Sequence, residues 1–146
     1  MVTRRQAREI AVQSLYWIEM NEVSAEEAVH SVMEQLRELE EKDLKADDKT
    51  LAFILALVKG VRERLDSIDE WISRSLRGWK LDRLSRVDKQ ILRMAVFEMI
   101  YYDETPPIVA VNEAVELAKA FGDEQSGKFV NGVLGKILQD REEVKK

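Results

Sequence analysis

The chain has 146 residues, 45% of them hydrophobic, and a formal net charge of −5, enough for one domain with a core of its own. It has no cysteine, which excludes disulfides, thiolate nucleophiles and cysteine-ligated metal, and a single histidine, His30, which cannot hold a metal alone. No apolar run approaches the roughly 18 to 20 residues of a membrane span and no signal-type segment opens the chain, so a cytoplasmic protein with no membrane partner is expected.

Thr3-x-x-Gln6 has the form of a capping box and predicts a first helix over about 4–20. Within it, TRRQARE sets three arginines at the head of an acidic protein. Arg4 and Arg5 fall in the first turn, where the helix dipole makes a cation unfavourable by about 0.3 to 1 kcal/mol. Arg4 and Arg8 are also like charges at i, i+4. A cluster that works against its own helix points to an anion, and a polyanion with repeated phosphates fits best. Arg5 and Arg8 are expected to be exposed. Ala7, Ala11, Ser14, Leu15 and Ile18 share a core face, whereas Val12, Tyr16 and Met20 lie on the other side and suggest a contact with another molecule.

Ser24-x-x-Glu27 opens a second helix, about 25–42, and Asp47 or Asp48 a third, about 49–65, with the stripe Leu51, Ile54, Leu55, Val58, Val61, Leu65. Residues 19–48 carry eleven acidic side chains against three basic ones, read as a solvated face with no assigned role. Ser67-x-x-Glu70 is taken to open a fourth helix, about 68–77, and Ser85 a fifth, about 86–101, with Gly78 as a stop between them. Residues 59–93 reverse the balance, with ten basic and six acidic side chains. A sixth helix, about 109–121, lies between stops at Pro106-Pro107 and Gly122, and a seventh spans about 126–139. Its Gly132 and Gly135 suggest that another helix approaches closely. Ser126-Gly127-Lys128-Phe129 would set a hydroxyl, backbone N–H groups, an amine and a ring at a helix N-terminus, a seat for phosphate with a stacking surface beside it. It does not spell a P-loop. No strand pattern, repeat or catalytic constellation is found, and no cofactor is implied.

The expectation is an all-α protein, a single domain over 1–146 of about seven helices in two small bundles, about 3–65 and about 67–140. TRRQAREIAVQSLYW, RLSRVDKQILRMAVFEM and AVNEAVELAKAFGDEQSGKFVNGVLGKI, in that order, resemble the NusB family of bacterial transcription antitermination factors over nearly the whole chain. The resemblance implies a non-enzymatic protein of two helical bundles. It implies binding of single-stranded boxA RNA together with the ribosomal protein NusE, within an RNA polymerase antitermination complex that transcribes ribosomal RNA operons. Carried over by residue, it puts RNA contacts on Arg4, Arg5, Arg8, Gln125, Lys128 and Phe129, and the NusE surface on Tyr16, Met20, Asp82 and Asp88. Where family members often have a third consecutive arginine this chain has Gln6, so a phosphate contact is weakened or replaced by an amide contact. Two alternatives stay open: an accessory domain for a separate RNA cytosine methyltransferase, and a homodimer that buries the arginine surface in the absence of RNA.

Overall fold

A computed structural model describes residues 1–40, 44–78 and 80–145. Among them are seven α-helices, one short 3-10 turn over Leu81–Arg83, and no strand. The chain divides into two compact units, Met1–Arg62 and Glu63–Lys146.

The first unit contains α1 (Arg4–Met20), α2 (Ala25–Glu40) and α3 (Asp48–Glu63). The capping box at Thr3 is complete: its hydroxyl accepts from Gln6 N–H at 3.0 Å, and Gln6 Oε1 accepts from Thr3 N–H at 2.9 Å. Such a cap contributes about 1 kcal/mol. Ser24 accepts from Glu27 N–H at 3.1 Å and Asp47 from Thr50 N–H at 2.7 Å, so the expected hydroxyl and carboxylate start α2 and α3. The expected run of α2 to residue 42 lies outside the described residues. α1 packs on α2. Lys59 of α3 pairs with Glu26 of α2, and Arg62 Nη1 donates to Val23 O at 2.8 Å.

The second unit holds α4 (Leu65–Arg74), α5 (Arg86–Tyr101), α6 (Pro107–Phe121) and α7 (Glu124–Lys145). α5 is its centre and packs against α4, α6 and α7. Nine of its residues are buried, among them Gln90 and Glu98, and they cover most of the helix, leaving Lys89, Arg93 and Ile100 half-buried on the remaining side. Ser85 caps α5 by accepting from Asp88 N–H at 3.1 Å. α4 and α5 are clamped by Arg93, whose Nε and Nη2 donate to the two carboxylate oxygens of Asp69, each at 2.9 Å.

Three helices, α4, α6 and α7, depart from the expected bounds, α7 also running on to Lys145. α4 starts at Leu65, so Ser67 lies inside the helix and bonds the Tyr101 hydroxyl instead of capping; α4 also ends at Arg74, before Gly78. Pro106-Pro107 opens α6 rather than closing α5, because proline at the first helical position loses only an N–H with no helical partner. α7 starts at Glu124, because Asp123 accepts from Ser126 N–H at 2.9 Å and caps it earlier than Ser126 could.

Candidate nucleic-acid interface

The arginines of α1 are held by an aromatic ring contributed by α3. The Arg4 guanidinium carbon stands 4.1 Å from the centroid of Phe53, and that of Arg8 stands 5.3 Å from it. The ring quadrupole attracts both cations, by about 0.5 to 2 kcal/mol each depending on desolvation. Phe53 is itself buried, and Arg8 is only 6% exposed. The expectation that Arg8 is a surface residue is therefore wrong: its position on α1 turns it towards Phe53. Arg4 and Arg5 are exposed.

Opposite charge lies close to this basic helix start. Asp47 is held below its ordinary pKa, first by hydrogen bonds from the backbone and hydroxyl of Thr50, then by the positive charges of Arg4 and Lys49. Gln6, at the position next to the arginine pair, gives its amide oxygen to the cap of α1. Farther along α1, Tyr16 and Met20 are exposed, as expected, but Val12 is 2% exposed. The buried arc of α1 is wider than one face, with Ala7, Arg8, Ile10, Ala11, Val12, Ser14 and Leu15 all inside, so the outward stripe reduces to Tyr16 and Met20.

In the second unit Gln125 and Lys128 are exposed on the first turns of α7 and Phe129 is half-buried. The seat for phosphate expected at Ser126-Gly127 is absent. Asp123 fills it with a carboxylate, and Gly127 is buried against Lys119, whose Cγ would lie 2.7 Å from a Cβ at that position. The opening lies further along α7 instead. Lys128, Phe129, Gly132, Val133 and Lys136 line a groove of 380 Å3 with Ser75, Leu76 and Arg77. Gly132 and Gly135 are exposed, and among the described residues a Cβ on either meets nothing within 4 Å, so no described helix presses on them.

Asp82 is exposed on the 3-10 turn. Asp88, expected to face a partner, is half-buried and lies among Ser85, Ser126 and Asp123. Burial raises its pKa most and Asp123 adds repulsion, while hydrogen bonds with Ser85 and Ser126 work the other way.

Arg77, Lys136 and Phe53 escaped sequence reading, and Gly132 was read as a contact with another helix rather than as part of a groove. Only the helix-interior glycine carried a local signal. Among the described residues no group of three or more His, Cys, Asp or Glu is placed to hold a metal ion. No helix among them is long and apolar enough to cross a membrane.

Two patches of cations, one in each unit and each built around a phenylalanine, suit phosphate and base contacts better than catalysis. A model of the NusB family matches residues 5–139. The chain is 47% identical over 137 residues to the transcription antitermination protein NusB of Oceanobacillus iheyensis, spanning 94% of this chain and 99% of that protein. The structure of T. maritima NusB superposes with a TM-score of 0.80 at 35% identity, over 95% of this chain and 93% of that one. NusB in a crystal structure with NusE and double-stranded RNA superposes with a TM-score of 0.77 at 31% identity, over 94% and 96%. Agreement of this extent, in sequence and in all-helical fold, makes the chain a member of the NusB family, whose proteins are transcription antitermination factors and not enzymes.

Proposed function

We propose that the chain binds single-stranded boxA-type RNA together with NusE, and that the pair supports transcription of ribosomal RNA operons by an RNA polymerase antitermination complex in the cytoplasm. The whole chain acts as one RNA-binding module. Arg4 and Arg5 contact phosphates at the start of α1, with Arg8 adding its charge from behind them against Phe53, and Gln125, Lys128 and Phe129 contact the RNA on α7. Tyr16 and Met20 supply an apolar contact to NusE, with Asp82 as an acidic neighbour suited to a basic ribosomal protein. Asp88 contributes by fixing the start of α7 through Ser126.

The observation that carries this reading is the half-buried ring of Phe129 in a groove bordered by Arg77, Lys128 and Lys136. Stacking on an aromatic ring beside cations is how single strands are held without a rigid duplex to read. The relative solved with NusE holds double-stranded RNA, so the test compares both forms. Purified protein, alone and with NusE, is titrated with boxA RNA and with the same sequence as a duplex, across salt concentrations. Tighter binding of the single strand, strengthened by NusE and falling steeply with salt, is expected. Equal binding of both forms would replace base recognition with shape recognition. Light scattering on the same samples registers whether the protein alone is a homodimer that RNA takes apart.

A further inference from the structure

In the first unit α2 and α3 run antiparallel and are tied together at both ends. At one end Lys59 pairs with Glu26 and Arg62 reaches Val23 O. At the other, Arg37 Nε donates to Leu44 O at 2.9 Å, and its Nη1 donates to Glu34. Between the ties lies a groove of about 420 Å3. Buried Val29 and Met33 make its floor, with Leu55 half-buried and Leu51 36% exposed at the rim. It shares no residue with the arginine cluster, with Tyr16 and Met20, or with the groove beside Phe129.

The shape of the groove indicates what it can take. Its α2 wall, Glu26, Val29, His30, Met33 and Arg37, follows i, i+3, i+4, i+7 and i+11, one stripe three turns and about 16 Å long. Leu51 and His30 leave it open along its length, whereas a compact ligand needs a site that encloses most of its surface. A trough between two parallel walls is the receiving half of a helix-in-groove contact, in which side chains at i, i+4 and i+7 enter and the helix body stays outside. The volume suits a few such side chains.

Charge narrows the choice further. Residues 19–48 carry eleven acidic side chains against three basic ones. Two of the three, Arg37 and Lys45, border this groove at the same end, and the third, Lys42, lies outside the described residues. The acidic majority repels a polyanion such as RNA, so the two cations are no phosphate grip. A partner with an apolar face and a carboxylate at one end complements both features.

We infer that this groove docks an amphipathic helix of a partner protein, its apolar side chains on Val29, Met33, Leu51 and Leu55 and a carboxylate at the end over Arg37 and Lys45. The ties at both ends shape the groove before the partner arrives, so little of the cost of ordering falls on this side of the contact.

The test pans a displayed library of helix-forming peptides, varied among Leu, Ala, Glu and Lys, against the full-length protein, with Leu51→Glu as counter-selection. Leu51 lies in the first turn of α3, where the dipole favours an acid, so this variant should melt near the wild-type temperature. Leu51→Ser, uncharged, repeats the comparison. Selected peptides should be apolar at i, i+4 and i+7 with glutamate at one end, and should bind wild type at least about tenfold more tightly than either variant. Lys45→Glu should weaken them several-fold, and exchanging the terminal glutamate for lysine should restore the affinity. RNA affinity should be unchanged in every variant. No selected peptide, peptides that bind the Leu51 variants as well as wild type, or peptides that prefer lysine at the Lys45 end of the wild type overturn the helix site. A loss of RNA affinity in Leu51→Glu would assign the groove to nucleic acid and overturn it as well.

Discussion

Reversing the charge of Arg5 and of Arg8 should have different consequences, although both belong to one cluster in sequence. Arg5 is exposed in the first turn of α1, where the helix dipole favours an acid by about 0.3 to 1 kcal/mol, so Arg5→Glu should leave the melting temperature unchanged or slightly higher. Arg8 is 6% exposed with its guanidinium 5.3 Å from the Phe53 centroid. Arg8→Glu removes an attraction of about 1 to 2 kcal/mol and sets a poorly solvated carboxylate towards the negative face of the ring, a loss comparable to breaking a buried pair, about 3 to 5 kcal/mol in all. For a chain of this size that lowers Tm by roughly 6 to 15 °C. The assay is thermal unfolding followed by circular dichroism, with RNA titrations at several salt concentrations below the transition. Arg5→Glu should weaken RNA binding and flatten the salt dependence by about one unit of log–log slope, with the fold intact. A wild-type melting temperature for Arg8→Glu would refute the role of Phe53 as the support of this cluster.

Phe129→Ala should cost about 1 to 2 kcal/mol of stability, below the 3 to 5 of a fully buried ring, and about 1 to 3 kcal/mol of RNA affinity; a core-sized loss of stability with unchanged RNA affinity would remove Phe129 from the interface. Tyr16→Ser combined with Met20→Ser should weaken co-purification with NusE while leaving RNA binding by the protein alone unchanged, and equal loss of both would show that the stripe serves the fold. Asp47→Asn and Asp88→Asn should change the acid side of the stability profile in opposite directions. Asp47 has a lowered pKa, so its contribution is present above the ordinary carboxylate range and is lost as pH falls through the lowered value. Asp88 has a raised pKa, so the native state holds its proton longer and stability falls as pH rises from the ordinary value through the raised one. Melting curves from about pH 3 to pH 6 should show each slope removed by its own substitution, and parallel profiles for the two variants would contradict the assignment.

What could be read from the sequence was whatever the chain settles within a few residues. Thr3 with Gln6 and Ser85 with Asp88 are local hydrogen bonds, and α1 and α5 have the bounds expected from them. Where a residue has a competing partner, near or far, the reading failed. Ser67 has the spacing of a capping box but bonds the hydroxyl of Tyr101 on α5. Ser126 has a capping residue's chemistry, yet Asp123 sits three residues earlier and takes its N–H. The arginine cluster was legible as an anomaly of charge, but its support, Phe53, lies on another helix and left no mark near it. Gly132 shows a further limit: a glycine within a helix announces that a side chain is unwanted without saying whether a helix, a ligand or water takes its place.

The burial of α5 over most of its circumference has a consequence for how the second unit opens. A helix with one wet face can detach by a small fluctuation, whereas α5 can release its amides to solvent only when α4, α6 and α7 have parted from it. Its amide hydrogens should therefore exchange at the slowest rate in the unit and report its global unfolding. Those on the outer face of α7, around Gly132 and Gly135, can exchange by fraying of that helix alone. The surface proposed to meet RNA can then breathe on a fast timescale over a scaffold that does not, and slower exchange confined to α7 on adding RNA would record the ligand without any change in α5.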